Sequence, residues 1–263
     1  MSQNGFVGVS TRAFVRVFAV WRRNFLVWRK LALPSILGNL ADPMIYMLGL
    51  GYGIGAMVKE IDGVPYIAFL AAGTVCYSTM NSATFESLYS AFSRMHVQRT
   101  WDAILNAPVT LEDVVIAEWA WAASKSFLSG AAILLVVWVM GFIDSPLALW
   151  VLAVIPLVGL CFSALGLIIT ALAPSYDFFM YYFTLAITPM VLLCGVFFPV
   201  AQLPQGFQLF AQALPLTHAI ALARPLMLGH VPESILLHTC VLLAYAGVAL
   251  AIALALFRRR LLK

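Results

Sequence analysis

Charged residues are scarce in this sequence. Only 10% of its 263 residues are Asp, Glu, Lys or Arg, whereas 63% are hydrophobic and the mean hydropathy is +0.98. A soluble domain needs a larger polar share than this, so the composition excludes an ordinary soluble protein. Apolar runs of about 20 residues, the length that crosses a bilayer, recur along the whole chain. The composition therefore predicts a polytopic membrane protein.

Patterns for catalysis and metal binding are also missing. The four cysteines are scattered through apolar segments with no C-x-x-C spacing, which argues against a disulfide framework and a zinc site. The four histidines are dispersed, and no acid–base constellation stands out. No lysine follows a glycine, so the chain has no P-loop for nucleotide. We expect no enzymatic activity, no cofactor and no metal site, and we expect the cysteines to be buried thiols.

Aromatic residues recur at helical spacing near the N-terminus, with arginines around them. The spread of basic residues and the lack of a small-residue cleavage site argue against a cleavable signal peptide. Such a helix is typical of the membrane interface, with a soluble amphipathic arm as the alternative. We therefore predict an interfacial helix in residues 1–30, with a membrane-facing stripe that consists of Phe14, Phe18, Trp21, Phe25 and Trp28.

The rest of the chain, residues 31–263, is predicted to be a single transmembrane domain with six spanning helices. Between the fifth and sixth spans, five prolines interrupt a moderately apolar stretch. Two short re-entrant helices, at about 202–213 and 217–228, fit this stretch better than a loop does, because irregular backbone at that depth survives only against protein or water. The predicted fold is an all-α polytopic membrane protein with spans at about 31–58, 65–91, 114–140, 147–172, 178–198 and 234–257.

Several polar side chains fall inside the predicted spans. Asp42 precedes Pro43, and an ionisable group at depth costs at least about 2.5 kcal/mol, so Asp42 is expected to face protein or water. Four polar residues of the second span share one face, which indicates either hydrogen bonds inside the bundle or a lining for a hydroxyl-bearing substrate. Glu118 and Lys125 are two turns apart, so partners on other helices are expected, unless both lie outside the bilayer. The predicted substrate path consists of Asp42, Thr74, Ser78, Asn81, Ser82, Glu118 and Lys125.

Glycines at four-residue spacing lie near the end of the first span, where Gly49 pairs with Gly53 and Gly51 with Gly55. This spacing lets two membrane helices approach closely. A loose match to a dinucleotide fingerprint in the same stretch is discounted, because no strand precedes it. The glycines therefore favour close contact between helices and a homodimer.

The polar stretch from residue 92 to 118 is predicted to contain a short amphipathic helix between the second and third spans. Its apolar residues recur at i, i+4, i+7 and i+8, and Thr110 with Asp113 is an N-cap signature for the helix that follows. A solvated loop and a docking surface for a soluble partner are both compatible with this pattern. In the second case Trp101 is the expected anchor. The predicted docking residues are Val97, Arg99, Trp101, Asp102, Ile104 and Leu105.

Basic residues are distributed unevenly. Twelve of the 15 lie before the first span, in the 92–118 stretch or in the C-terminal tail. By the positive-inside rule, both termini and the predicted docking helix are cytoplasmic, on the side where ATP is available. The net charge of +4 is then explained without a nucleic-acid partner.

Several stretches of the chain resemble ABC-2 type permeases, in particular the nodulation-factor export (NodJ) subgroup, and the resemblance covers nearly the whole chain. They are WRRN (21–24), GNLADPMIYMLGLGYGIG (38–55), QRTWDAIL (98–105), ALAPSYDFF (171–179), TPMVLLCGVFFPVAQLP (188–204), LPLTHAI (214–220) and RPLMLGH (224–230).

The resemblance implies an interfacial helix, six spans, a coupling helix after the second span and re-entrant helices before the sixth. It also implies a homodimer in the bacterial inner membrane that docks two copies of a cytoplasmic P-loop ATPase, NodI-like in this subgroup. The implied cargo is a lipid-linked or lipid-modified saccharide, with drugs transported by more distant relatives.

Two other function classes stay open. An ATPase-independent secondary transporter or channel could use Asp42, Glu118 and Lys125 as a relay. A membrane-embedded transferase would need a paired acid and base, for which Glu86 and His96 are the best pair in the sequence.

Overall fold

The structure is a computed structural model that describes residues 3–61, 63–143 and 145–261. It consists of helices and one short hairpin, in which β1 (Glu60–Ile61) pairs antiparallel with β2 (Val64–Pro65). Gly63 lies between these strands at a φ of 77°, a left-handed conformation that glycine adopts without a Cβ clash. The helical architecture agrees with the predicted all-α membrane protein.

Helices α1 (Gln3–Trp28) and α2 (Ala32–Gly53) follow one another through a single 3₁₀ turn at Arg29–Leu31. The apolar helical stretch from residue 13 to 53 has 41 residues. At ~1.5 Å per residue, this stretch is about twice as long as the ~30 Å hydrocarbon core of a bilayer is thick. An upright helix would therefore span the core with only part of the stretch. The 3₁₀ turn supports a division at the predicted boundary near residue 30.

Helix α3 (Tyr66–Phe85) is central. It packs against α2 and against three later helices, α5 (Leu111–Val139), α6 (Val151–Leu172) and α10 (Pro215–Met227). It continues through π-helical segments at Glu86–Ser90 and Ser93–Val97, beyond the predicted end of the second span at residue 91. Because neighbouring helices cover α3, its polar side chains need not meet lipid.

The remaining helices follow in chain order. They are α4 (Thr100–Leu105), α5 (Leu111–Val139), α6 (Val151–Leu172), α7 (Asp177–Tyr182), α8 (Thr188–Leu193), α9 (Gln205–Ala213), α10 (Pro215–Met227) and α11 (Ile235–Leu261). The predicted N-cap of α5 is confirmed, because Thr110 Oγ1 accepts from the Asp113 amide at 3.3 Å and Asp113 Oδ2 accepts from the Thr110 amide at 3.0 Å. This reciprocal pair satisfies two amides that the first turn leaves free.

Within the part of the chain that the structure describes, four helical stretches are long and apolar enough to cross a membrane: 13–53, Leu111–Val139, Pro146–Leu172 and Ile235–Leu261. Helix α3 falls outside this set, and the apolar stretch Asp177–Leu193 is shorter. The count of six spans therefore stays a prediction.

Two helix ends differ from the predicted span bounds. The fifth apolar segment ends at Leu193 rather than at residue 198, because Gly195 has a φ of 81° and Pro199 follows. The last helix continues to Leu261 instead of ending at residue 257. The proline-rich stretch forms α9 and α10, so the two short helices expected there are present, with Pro215 at the start of α10, where its missing amide hydrogen is not needed.

The buried side chains form two clusters. A central core includes Met80, Ile155, Phe162 and Leu216. A second core lies where α11 ends and includes Phe92, Trp101, Phe179 and Phe257. The second core ties the segment after α3 to the C-terminal helix.

Glycines and cysteines divide between interior and exterior positions. A Cβ at Gly51 would lie 2.9 Å from Ile67, whereas a Cβ at Gly49 or Gly53 would meet nothing within 4 Å. The outer glycine face of α2 is therefore uncovered within one chain. Cys76, Cys161 and Cys194 are buried as predicted, but the prediction is wrong for Cys240, which is exposed on α11.

Candidate functional site

Four charged side chains form a buried network between the end of α3 and helix α5. Arg94 Nη2 lies 2.9 Å from Glu86 Oε1 and 2.5 Å from Glu118 Oε2, and Lys125 Nζ lies 2.7 Å from Glu86 Oε2. The Glu86 and Glu118 side chains are only 3% and 1% exposed. Two carboxylates thus meet two cations, so the network holds no net charge.

Two indoles complete this charge network, which comprises Glu86, Arg94, Glu118 and Lys125. Trp121 Nε1 donates to Glu86 Oε1 at 2.8 Å, and Trp101 Nε1 donates to Glu118 Oε1 at 3.2 Å. Each buried carboxylate therefore has an ionic partner and a neutral donor, as buried charges require.

Local helix geometry positions the network. Glu86 and Arg94 belong to the two π-helical segments that extend α3, and such segments occur frequently at functional sites. Burial alone would lower the pKa of Arg94, but the Glu118 and Glu86 carboxylates outweigh burial and raise that pKa above the ordinary value for arginine. Arg94 therefore stays cationic, and its side chain points into the helix bundle rather than toward a docking surface.

The predicted amphipathic helix from Val97 to Leu105 does not form as one unit. Arg99 has a φ of 51°, so the chain breaks there and α4 begins only at Thr100. Val97 is 60% exposed, whereas Trp101 is 1% exposed and packs 5.2 Å from Phe257 between ring centroids. The indole of Trp101, the anchor expected for a docking partner, is therefore packed inside the chain.

The other predicted docking residues divide by exposure. Arg99 and Asp102 are exposed, whereas Ile104 and Leu105 are half-buried and pack against the second core. The outward surface of this segment is thus defined by Val97, Arg99 and Asp102.

The structure brings together only some of the residues of the predicted substrate path. Asp42, Ser78, Asn81 and Ser82 line a cavity of about 340 Å³ between α2 and α3. Asn39 Nδ2 also donates to Ser82 Oγ at 3.4 Å at this cavity. We call this space the polar cavity.

The remaining residues of that prediction lie elsewhere. Thr74 is buried and its hydroxyl donates to the Leu70 carbonyl, while Glu118 and Lys125 belong to the charge network. These three residues therefore do not line the polar cavity. The partners of Glu118 and Lys125 do lie on other elements, as the two-turn separation of these two residues indicated.

A second cavity of about 390 Å³ shares Asp42, Asn81 and Phe85 with the polar cavity. Its other lining residues are mostly aromatic or aliphatic: Tyr46, Tyr77, Phe183, Ile187, Thr188, Val191, Leu192 and Phe197. We call it the apolar cavity. A hydrogen-bonding surface and an apolar surface are thus adjacent.

The aromatic stripe of α1 reaches the charge network through Trp121. The rings of Trp21, Phe25 and Trp28 lie 5.8 to 6.4 Å from the Trp121 ring between centroids, and Trp21 Nε1 donates to Ser124 Oγ at 3.1 Å. Phe14 is 70% exposed, so only the outer end of the stripe is free for a membrane interface. The inner half packs on α5 instead.

Arg16 and Arg258 add two further links at the same end of the bundle. Arg16 Nε lies 2.6 Å from Asp113 Oδ2, and Arg258 Nε lies 2.6 Å from Glu112 Oε1. Helices α1 and α11 therefore both contact the start of α5, beside the 98–110 segment.

The sequence analysis did not predict that Glu86, Arg94, Glu118 and Lys125 form one network. Glu86 is occupied by Arg94, Lys125 and Trp121, and His96 is not among its hydrogen-bonding partners. No group of three His, Cys, Asp or Glu side chains that could hold a metal is found in the described residues. This arrangement offers a fixed internal linkage rather than an acid–base pair.

Comparison with known protein families decides the class. The model of the ABC-2 type transporter family matches residues 15–228. The chain belongs to the ABC-2 type transporter family. It is a membrane-embedded transport subunit of an ABC exporter rather than an enzyme, and the resemblance seen in the sequence motifs is confirmed.

Individual ABC-2 relatives agree over most of their length. Nodulation protein J of Rhizobium leguminosarum bv. viciae is 53% identical over 93% of this chain and 95% of its own length. Nodulation protein J of Bradyrhizobium diazoefficiens is 48% identical over 99% of each chain. The inner membrane transport permease YadH of Escherichia coli is more distant, at 22% identity over 79% of this chain and 81% of its own length.

Proposed function

We propose that this chain is the permease subunit of an ATP-driven exporter that moves a lipid-linked or lipid-modified saccharide across or out of the bacterial inner membrane. The observation that carries the cargo class is the pairing of the polar and apolar cavities around Asp42. Carboxylate, amide and hydroxyl groups suit saccharide hydroxyls, while the aromatic and aliphatic wall suits an acyl chain. The similarity to relatives named nodulation protein J supports the export role, and the glycolipid class is what the subgroup resemblance in the sequence motifs implies.

The proposed topology has six spans, α9 and α10 as re-entrant helices, and both termini in the cytoplasm. The uneven distribution of basic residues supports it. So does the convergence of Arg16 and Arg258 on the start of α5, which places the α1 and α11 contacts at the same end as residues 98–110.

We further propose a homodimer that docks two copies of a cytoplasmic P-loop ATPase, NodI-like in chemistry. The uncovered face at Gly49 and Gly53 supports close contact between two α2 helices. The outward surface of Val97, Arg99 and Asp102 is the proposed ATPase contact. Trp101 of α4 donates a hydrogen bond to Glu118, so a displacement of α4 by the ATPase would act directly on the charge network.

Reconstitution tests the function. Proteoliposomes with the permease and a NodI-like ATPase should move a lipo-chitooligosaccharide only with ATP, and Asp42→Asn should reduce this movement several-fold. Asp177→Asn, at an exposed carboxylate outside both cavities, is the matched control.

Two results would contradict the proposal. Movement of apolar drugs or simple lipids without movement of the glycolipid would favour a drug or lipid efflux permease of the same class. Movement without the ATPase would favour a secondary transporter.

A further inference from the structure

Two histidines face each other at the junction of α10 and α11. His218 Nδ1 and His238 Nδ1 are 2.8 Å apart, and the ring centroids are 5.0 Å apart. Both side chains are partly exposed, and neither belongs to the cavities or the charge network. The pair therefore needs a separate explanation.

Hydrogen bonding fixes the tautomer of His218. Its Nε2 lies 2.9 Å from the Gln212 carbonyl oxygen, which can only accept, so Nε2 carries a hydrogen. In the neutral ring Nδ1 then holds a lone pair, and this lone pair is directed at His238. The two Nδ1 atoms consequently share one proton, which His238 donates.

This arrangement matches that of a metal-binding histidine. Metal-ligating imidazoles usually donate their second ring N–H to a backbone carbonyl or carboxylate, which orients the ring, and His218 already does so. Two nitrogens at ~2.0–2.1 Å from a tetrahedral ion are about 3.3 Å apart. The rings would thus need to separate by only about 0.5 Å from their present spacing.

We propose that His218 and His238 bind a divalent first-row transition-metal ion such as Zn²⁺, Ni²⁺ or Cu²⁺, for which imidazole is a preferred ligand. The ion takes the place of the shared proton, which moves from Nδ1 to Nε2 of His238 by exchange with water, so no net proton is released from the neutral pair. Since no third His, Cys, Asp or Glu joins the pair among the described residues, water completes the coordination and the ion is exchangeable.

A bound ion would connect α10 and α11, which the backbone joins through a non-helical segment. The segment between α10 and α11 contains Gly229 at a φ of 83° and Ser234 at a φ of 51°, and so is not helical. The metal bridge would fix α10, one of the proposed re-entrant helices, against the start of α11.

Zinc binding by the full-length protein in detergent, purified without a polyhistidine tag, tests the site. Calorimetry with zinc chloride at neutral pH should give one ion per chain, and His218→Gln and His238→Gln should each abolish it. Glutamine at residue 218 keeps a donor for the Gln212 carbonyl, which protects the fold. His230→Gln, at an exposed histidine in the connecting segment, should bind zinc like the wild type.

Copper supplies a second measurement. Electron paramagnetic resonance of the protein with Cu²⁺ should show two coordinating histidine nitrogens in the wild type, and His218→Gln should lose this two-nitrogen signal. Acidification should release either ion, because the imidazole ligands must be deprotonated to bind it.

Equal zinc binding by the wild type and His218→Gln would overturn the site. Absence of zinc binding by the wild type would do so as well, and would leave the pair as a proton-sharing contact. Neither result bears on the proposed export function, because no transport is measured.

Discussion

Arg94 and Glu118 form a two-pronged ion pair in which Nε lies 2.9 Å from Oε1 and Nη2 lies 2.5 Å from Oε2. Arg94 precedes the 98–110 segment and Glu118 follows it, so the ion pair holds the two ends of this segment together. Such parallel bonds fix geometry as well as adding attraction. If the ATPase docks beside α4 as proposed, this pair is where a movement of the segment would reach the helix bundle.

Loss of Glu118 should strongly destabilise the protein. Glu118→Ala leaves Arg94 buried with one carboxylate fewer and removes the acceptor of Trp101, and breaking a buried pair in this way costs about 3–5 kcal/mol. Glu112→Ala breaks the more exposed pair with Arg258 and should cost no more than about 1 kcal/mol. Denaturation in detergent measures both, and an equal effect of the two variants would show that the network does not stabilise the fold.

Trp101→Ala should reduce the stability of the permease alone, before any partner is added. The indole is fully packed against Phe257, and truncation of such an aromatic side chain costs about 3–5 kcal/mol. Val97→Ala, at a 60% exposed position four residues earlier, should change stability by less than about 0.5 kcal/mol. If the isolated Trp101→Ala protein is as stable as the wild type, the indole does not hold the segment in place.

The comparison of Val97 with Trp101 shows where sequence periodicity failed. The i, i+4 spacing assumed an unbroken helix, but Arg99 adopts a left-handed conformation that a sequence pattern does not reveal. The burial of Trp101 depends on Phe257, which is distant in the sequence. Local patterns were reliable where the determinant is local, as in the Thr110–Asp113 cap and the proline-bounded α9 and α10.

The charge network illustrates the same difference. The spacing of Glu118 and Lys125 indicated partners on other elements, and Arg94 and Glu86 are those partners. Their identity depends on how α3 packs against α5, which one-dimensional spacing does not contain. The sequence did contain one signal for the network: two acidic and two basic residues lie near the facing ends of the predicted second and third spans.

Cysteine labelling should separate cavity residues from packing residues. In a Cys240→Ser background, which removes the exposed native thiol, Asp42→Cys and Asn81→Cys should react with a water-soluble maleimide because both residues line the cavities. Thr74→Cys should stay unlabelled because Thr74 is buried. Labelling of Thr74→Cys at the same rate as Asn81→Cys would show that the water-filled space extends elsewhere.

Bulky side chains on the outer face of α2 should weaken dimerisation. Gly49→Leu and Gly53→Leu place side chains where nothing lies within 4 Å in one chain, so the monomer should fold normally while close contact between two α2 helices is blocked. Gly247→Leu makes the same change on open space along α11 and should leave the dimer intact. Native mass spectrometry of the complex measures the copy number, and unchanged dimers in both α2 variants would rule out this face.

Substitutions on the outward surface should uncouple ATP hydrolysis from transport without destabilising the permease. Val97→Asp and Arg99→Glu alter side chains exposed beside α4, so stability should change by less than about 0.5 kcal/mol. If this surface contacts the ATPase, a loss of ~1.4 kcal/mol of binding free energy would weaken docking about tenfold. Nucleotide binding by the ATPase would then no longer move Glu118 through its hydrogen bond with the buried Trp101.

The matched control is Lys59→Glu, which reverses an exposed charge beside the β1–β2 hairpin, at the end proposed to face away from the cytoplasm. It should leave ATPase affinity and cargo-stimulated hydrolysis unchanged. Co-purification and hydrolysis assays decide between two roles of the segment. If Val97→Asp and Arg99→Glu retain full affinity and full stimulation, the 98–110 segment braces the bundle through Trp101 and the ATPase docks on another surface.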